Sequence, residues 1–400
     1  MRHLTLSLLL ILASYSSFSQ VYGTEGYLIG TAVEIGISGT GGFEGADITL
    51  GQPVTPIHFR SNNANLFGFV ADPTFSGWAQ FDGDFFTPGG SENGWGLEVG
   101  GSNGVKFSNN CAFPVNIPGA IGNFVNNAGC MSLEWNGTVA SSGVDLSVNI
   151  VYSLKQNDLF YTTDVTITNT GAVPLDSIFY YRNVDPDNNV EINGSIYATT
   201  NTIVANPPTA CNIAHVTAEQ TAPWNSYFGF AAVGDMYRVS YGNFTNRDGS
   251  DIWFGALTGP SGVPYVNAVG SSATVDEAIS LAYLIETLPV GGSESLKFVS
   301  ILNSAGANAA FDNLFTFDYV GSIGGTAQCI PTVDTVYIVP GGSGATGSAC
   351  SDSILLEITG SAANDFNWTW SPATGLSATT GPLVWAFPAA TTTYTVTGTS

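Results

Sequence analysis

The chain has 400 residues, of which 31 are Asp or Glu and only eight are Lys or Arg, giving a formal net charge of −23 at pH 7. Such a surface repels phosphate backbones and anionic lipid, and so few cations form no basic patch, which excludes nucleic acid as a natural partner. Aromatic residues at 12%, with 24 Phe, set the chain apart from a disordered acidic tail, because that content can bury a core.

Residues 1–20 read as an export signal. Arg2 and His3 precede the apolar run "LTLSLLLILA", which gives way to "SYSSFSQ". The run is shorter than the roughly 18 residues that span a bilayer, and its layout is that of a cleaved signal peptide. Cleavage is expected near Ser19 or Gln20, and the mature protein is expected to be secreted or at the cell surface. Absence of a later long apolar stretch argues against membrane insertion.

The segment 21–325 is predicted to be one large all-β unit, an antiparallel β-sandwich or an enlarged supersandwich. Its first acidic and aromatic clusters are "FDGDFF", with Asp82 and Asp84 close to Trp78, and "ENGWGLE", with Glu92, Trp95 and Glu98. "LEW" adds Glu134 and Trp135. Carboxylates beside aromatic rings can stack on and hydrogen-bond to sugars, and two facing carboxylates are what a glycosidase needs. The same residues are also ordinary contents of a large β core. Trp78, Asp82, Asp84 and Trp95 are the candidate saccharide contacts. Cys111 and Cys130 bracket a loop rich in Asn, Gly and Pro and are expected to pair. Five Cys in an exported chain leave at least one without an intrachain partner.

"DLSVNIVYSL", "LFYTTDVTITNT" and "LDSIFYYRNV" are rich in β-branched and aromatic residues, are separated by turns, and predict a three-stranded antiparallel meander. The last runs into "YYRNVDPDNNVEINGS". Asp185, Asp187 and Asn189 follow a D-x-D-x-N spacing that can gather oxygens around calcium, with Glu191 extending the series. Pro186 and the two Asn also make a good turn without metal. "NRDGSD", residues 246–251, is a second such loop. Further strands are predicted at "MYRVSYGNF", "DIWFGAL", "SLAYLIETL" and "SLKFVSILN". Helical character is confined to "SATVDEAISLAYLIETL" and "GANAAFDNLF". His58 and His215 are the only histidines beyond the signal. With no H-E-x-x-H, G-x-S-x-G, Walker or dinucleotide motif, zinc hydrolysis, serine hydrolysis and nucleotide chemistry lose their usual signatures.

Residues 326–332 read as a Gly-rich linker and 333–400 as a small sandwich with strands at "TVYIV", "SILLEITG", "FNWTWSP" and "TTYTVTGT". The stretch "WTWSPATGLSATTGPLVWAFPAATTTYTVTGTS" resembles the PKD-like and Ig-like repeats of large secreted proteins of Bacteroidota, through Trp370-Ser371-Pro372, Thr374-Gly375-Leu376, Pro388 and the Thr391–Val396 run. The resemblance implies gliding-motility or type IX secretion association, further Ig-like repeats in a longer chain, and a Cys beyond residue 400 for Cys350. The expectation is therefore a non-enzymatic, adhesin-like surface protein that binds an extracellular glycan or surface protein. The alternative is a carbohydrate-active protein, either a glycan-binding module or a carboxylate-dependent glycoside hydrolase.

Overall fold

The computed structural model describes residues 21–43, 68–71, 93–102, 104–110, 117–127, 129–187, 196–208, 212–221, 225–242, 248–255, 265–317, 335–338, 354–357, 367–381, 383–386 and 392–399. The signal segment and the linker lie outside them.

The strands, in chain order, are β1 (Val21–Tyr22), β2 (Glu25–Ile29), β3 (Val33–Ile37), β4 (Phe69–Ala71), β5 (Asn93–Val99), β6 (Val105–Asn110), β7 (Gly119–Asn127) and β8 (Cys130–Ser141). Then come β9 (Val144–Lys155), β10 (Phe160–Asn169), β11 (Leu175–Val184), β12 (Thr199–Ala205), β13 (Ile213–Gln220), β14 (Ser226–Val233) and β15 (Tyr237–Gly242). Helix α1 (Gly249–Phe254) precedes β16 (Ser272–Val275), β17 (Ala278–Leu288) and β18 (Ser293–Ile301), and α2 (Ala307–Phe317) follows. The C-terminal strands are β19 (Thr335–Ile338), β20 (Ile354–Glu357), β21 (Asn367–Ser371), β22 (Leu383–Ala386) and β23 (Thr392–Thr399).

The predicted all-β antiparallel sandwich is what the chain forms. A nine-stranded sheet runs β16-β12-β13-β14-β18-β10-β9-β8-β7, and a five-stranded sheet runs β15-β17-β11-β5-β6. Their facing side chains form one core, to which the small sheet β1-β2-β3-β4 adds Leu28, Val33, Ile35 and Phe69. Alternation builds this core: in β9, Leu146, Val148, Ile150 and Tyr152 are buried, while Ser147, Asn149, Val151 and Ser153 between them are half-buried on the other face. Trp95 and Trp135 meet edge to face at 5.2 Å between ring centroids. Their indole N–H groups donate to the backbone oxygens of Thr40 and Gly39 at 3.1 and 2.9 Å. Gly41, at φ 73°, passes so close to the Trp135 ring that a Cβ there would lie 2.8 Å from it.

Each large sheet also carries a helix on its outer face. α1 packs Ile252 and Trp253 on Phe179, Tyr181 and Ala282 of the five-stranded sheet. α2 packs Ala310 and Leu314 on Tyr227, Ala231, Val299 and Ile301 of the nine-stranded one. No helix among the described residues is long and apolar enough to cross a membrane, which says nothing of strands. In the C-terminal segment, sheets β19-β23-β21 and β20-β22 share a separate cluster of Leu356, Trp370, Val384, Ala386, Tyr394 and Val396.

Three expectations are corrected. β9 and β10 pair as predicted, but β11 leaves the meander and pairs with β17 and β5 in the other sheet. It is buried on both faces: Ile178, Tyr180 and Val184 enter the core while Phe179 and Tyr181 lie under α1, and even Arg182 and Asn183 are buried. A strand of that kind fits a sheet covered on both sides, not one with a wet face. Residues 251–254 of "DIWFGAL" belong to helix α1, because Asp248 caps its start by accepting from the Asp251 N–H and Gly255 ends it in the left-handed region at φ 65°. "SATVDEAISLAYLIETL" is two strands, broken at Asp276 and Glu277, whose halves join different sheets.

Candidate functional site

The outward face of the nine-stranded sheet is a polar array. Register sets Asn136 opposite Asn149, Asn149 opposite Thr166, and Thr166 opposite Ser295, so one row of amides and hydroxyls crosses β8, β9, β10 and β18. In the next row Glu134 and Asp164 both stand opposite Val151, on its two sides. Two strand spacings put their Cα atoms about 10 Å apart. Asn149 Nδ2 donates to Glu134 Oε1 at 2.6 Å and to Asn136 Oδ1 at 2.8 Å, and Asn123 Nδ2 donates to Glu134 Oε2 at 3.2 Å. Lys297 Nζ lies 3.6 Å from Asp164 Oδ1. Hydroxyl pairs Thr166–Ser295 and Thr168–Ser293, at 3.0 and 2.7 Å, continue the array.

Two depressions share Thr166, one on this face and the other reaching from it to Tyr237 and Tyr283 of the five-stranded sheet. One, of about 400 Å³, is lined by Gly119, Asn136, Thr138, Ser147, Asn149 and Thr166 among others. The other, of about 380 Å³, is lined by Asp164, Asp235, Tyr237, Tyr283, Ser295 and Lys297 among others, and Leu314 of α2 forms part of its wall. Each is in the size range of a small-molecule site.

The structure separates the sequence-predicted contacts. Trp95 is fully buried in the core and presents nothing to a saccharide, as is Trp135. Glu134, the residue before it, points the opposite way, because neighbours in a strand alternate. Trp78, Asp82, Asp84 and Glu92 lie outside the described residues. Cys130 is disulfide-bonded; Cys111, its expected partner, lies outside the described residues.

A second constellation contains the acidic loop. Carboxylate oxygens of Asp185, Asp187 and Asp276 all lie within 4.8 Å of one another, a cluster that can hold a metal ion. Asp187 is 3% exposed and its Oδ1 is buried without a hydrogen-bond partner. Burial, reinforced by the charges of Asp185 and Asp276, pushes its carboxyl up to about 9. Asn189 and Glu191, the other two expected ligands, lie outside the described residues. Asp276 was not among the expected ligands: it belongs to a different segment, and its only local signal is an acidic pair between two apolar runs.

The third constellation joins two motifs the sequence left apart. Glu98, fully buried on β5, accepts from the Ser250 N–H at 2.8 Å, and Ser250 Oγ donates to Asp248 Oδ1 at 2.8 Å. Lys106 contacts Asp248, and its Nζ is 3.9 Å from Glu98 Oε1. Burial and the neighbouring Asp248 raise the Glu98 carboxyl. Asp248 stays below its ordinary value although burial opposes this, because Glu98, Lys106 and Ser250 hydrogen-bond to it. The arrangement secures the start of α1 over the sheet.

No family model matches the chain. No curated protein matches it either. Among solved structures, a galactose mutarotase-related enzyme from Lactobacillus acidophilus matches at 9% identity and a TM-score of 0.32, covering 70% of this chain and 97% of that one. A putative aldose 1-epimerase from Klebsiella pneumoniae matches at 12% and 0.28, covering 71% and 80%. A GH36 alpha-galactosidase from Geobacillus stearothermophilus matches at 9% and 0.30, covering 70% of this chain but 40% of that one. The expected non-enzymatic, adhesin-like role is not carried forward, since the matched proteins are named as enzymes of sugar chemistry. At such TM-scores the likeness transfers none of their sites to this chain.

Proposed function

We propose that this is a carbohydrate-active protein that engages saccharide on the outward face of the nine-stranded sheet. The observation that carries the reading is the row Asn136, Asn149, Thr166 and Ser295, with Glu134 and Asp164 on the row beside it. Amides and hydroxyls on rigid strands match the alternating donors and acceptors of sugar hydroxyls, and strands hold them more exactly placed than loops would. The chain's strong negative charge turns away polyanions but not neutral glycans. Glu134 and Asp164 are the carboxylates available for chemistry on a bound sugar.

The test is a glycan array with the purified chain, followed by product analysis on each glycan retained. Binding is expected to fall about tenfold or more in Asn149→Ala and in Thr166→Val, the loss of about 1.4 kcal/mol or more of hydrogen bonding. Thr200→Val, on the distant β12, serves as the unaffected control. Failure to retain any saccharide, or equal binding by all three variants, rejects the reading.

A second reading concerns the carboxylate cluster, which we infer takes calcium. Among the described residues its donors are three carboxylates, hard oxygens with no nitrogen or sulfur, the set that calcium prefers. The buried, unpartnered Oδ1 of Asp187 supports this reading. Calcium should raise the melting temperature of chelator-treated protein, and Asp187→Ala should abolish most of the rise; a site at a hundredfold excess over Kd stabilises by about 2.7 kcal/mol. Identical melting with and without calcium rejects it.

A further inference from the structure

We propose that the Asp185–Asp187–Asp276 site is a clasp joining the two large sheets, in which one calcium ion ties the end of β11 to the β16–β17 connection; this rests on the calcium reading above. Asp185 and Asp187 stand just past the end of β11, a central strand of the five-stranded sheet. Asp276 comes from the two-residue connection between β16, the outermost strand of the nine-stranded sheet, and β17, the neighbour of β11. The chain crosses from one sheet to the other at that point, and the three carboxylates converge on it.

The crossing needs such a tie. β16 is four residues long and alternates exposed with half-buried positions, so little apolar burial holds it. Its attachments are the ladder to β12, the hydroxyl pairs Thr200–Thr274 and Thr202–Ser272 at 2.9 and 2.8 Å, and Asn201 Nδ2 donating to the Glu277 backbone oxygen at 3.1 Å. The independent sign of a ligand is Asp187, almost fully buried, which turns a carboxylate oxygen to the other two carboxylates and whose Oδ1 lacks a hydrogen-bond partner. A carboxylate oxygen taken out of water without a donor is costly, and a cation supplies the missing partner. Asp276 is exposed, so replacing it leaves the core untouched.

The experiment is calorimetric calcium titration of the chelator-treated full chain, with hydrogen exchange measured over residues 272–277, for the wild type, Asp276→Asn and Glu277→Gln. Calcium is expected to bind and to slow exchange across 272–277. Asp276→Asn is expected to weaken affinity roughly tenfold or more, since fewer carboxylates mean weaker binding, and to lose the protection, while Glu277→Gln keeps both. Undiminished affinity in Asp276→Asn, or exchange at 272–277 indifferent to calcium that does bind, overturns the clasp and leaves calcium at the acidic loop standing. Absence of binding overturns both.

Discussion

Asn149 is the residue on which the polar face turns, because its one amide group holds both Glu134 and Asn136. Its removal should weaken saccharide binding while leaving stability within about 1 kcal/mol, the net worth of a hydrogen bond that water can replace. Trp95 should behave in the opposite way. Trp95→Ala should cost about 3–5 kcal/mol in urea unfolding, as large-to-small changes in a packed core do, whereas a stability loss under about 1 kcal/mol would contradict its place in the core. His215 is a third case. Its Nε2 lies 3.0 Å from Tyr227 Oη and its ring meets Phe311 of α2 edge on. Burial holds the imidazole down at about 4, from an ordinary value of 6.5. Between those values the unfolded chain takes up a proton that the folded chain refuses. Stability is therefore complete above about pH 6.5 and declines as pH falls toward 4, by on the order of 3 kcal/mol. His215→Gln should flatten that part of the curve, and a slope unchanged in the variant would show that another group controls it.

Among the elements, α1 is the most instructive, since six residues cannot hold a helix by themselves. Asp248 caps it and also contacts Lys106, while the buried Glu98 beneath it takes the Ser250 N–H. Asp248→Ala should cost about 1–3 kcal/mol, more than an ordinary cap, because it also strips a hydrogen-bond partner from a buried acid. Fluorescence of Trp253, packed under Arg238 at 4.5 Å, should report the loosening alongside the chemical denaturation. The strands were legible where one face is wet: the alternation of Val165 and Ile167 with Thr166 and Thr168 names both the element and its buried side. No strand was expected where β5 lies, so the burial of Trp95 and Glu98 was not legible, and it follows from the pairing of β5 with β11 inside the five-stranded sheet. The D-x-D spacing disclosed two members of the carboxylate cluster. Asp276 stayed hidden because its neighbours belong to a distant segment, and the contact exists only once β11 and β17 pair. "DIWFGAL" misled because an apolar run as short as Ile252, Trp253 and Phe254 carries no period, and its fate was decided by Asp248 and Gly255.

For the whole molecule, thirty-one acidic side chains against eight basic ones make the folded state a compressed negative body. Raising monovalent salt from about 10 to 150 mM shortens the Debye length from about 30 to 8 Å. The melting temperature should climb over that range, because self-repulsion is screened more than the few ion pairs are weakened. A falling melting temperature would mean that the ion pairs, Lys106–Asp248 and Lys297–Asp164 among them, outweigh the general repulsion.

The order of the nine-stranded sheet bears on how the chain comes to be folded at all. β18 lies between β14 and β10, yet it is the last strand of that sheet to be synthesised. Until residue 301 has emerged from the ribosome, the sheet exists only as two halves. β10 and β14, each central in the finished sheet, wait with an open hydrogen-bonding edge. β18 then closes the gap, pairing Phe160 with Ile301 and Thr168 with Ser293 on one side and Gly229 with Ile301 on the other. A ribosome-bound or truncated chain ending at residue 292 would present two sticky edges, the kind of surface that chaperones hold and that aggregates recruit. Commitment to the native state is thereby postponed until nearly the whole sandwich has been made.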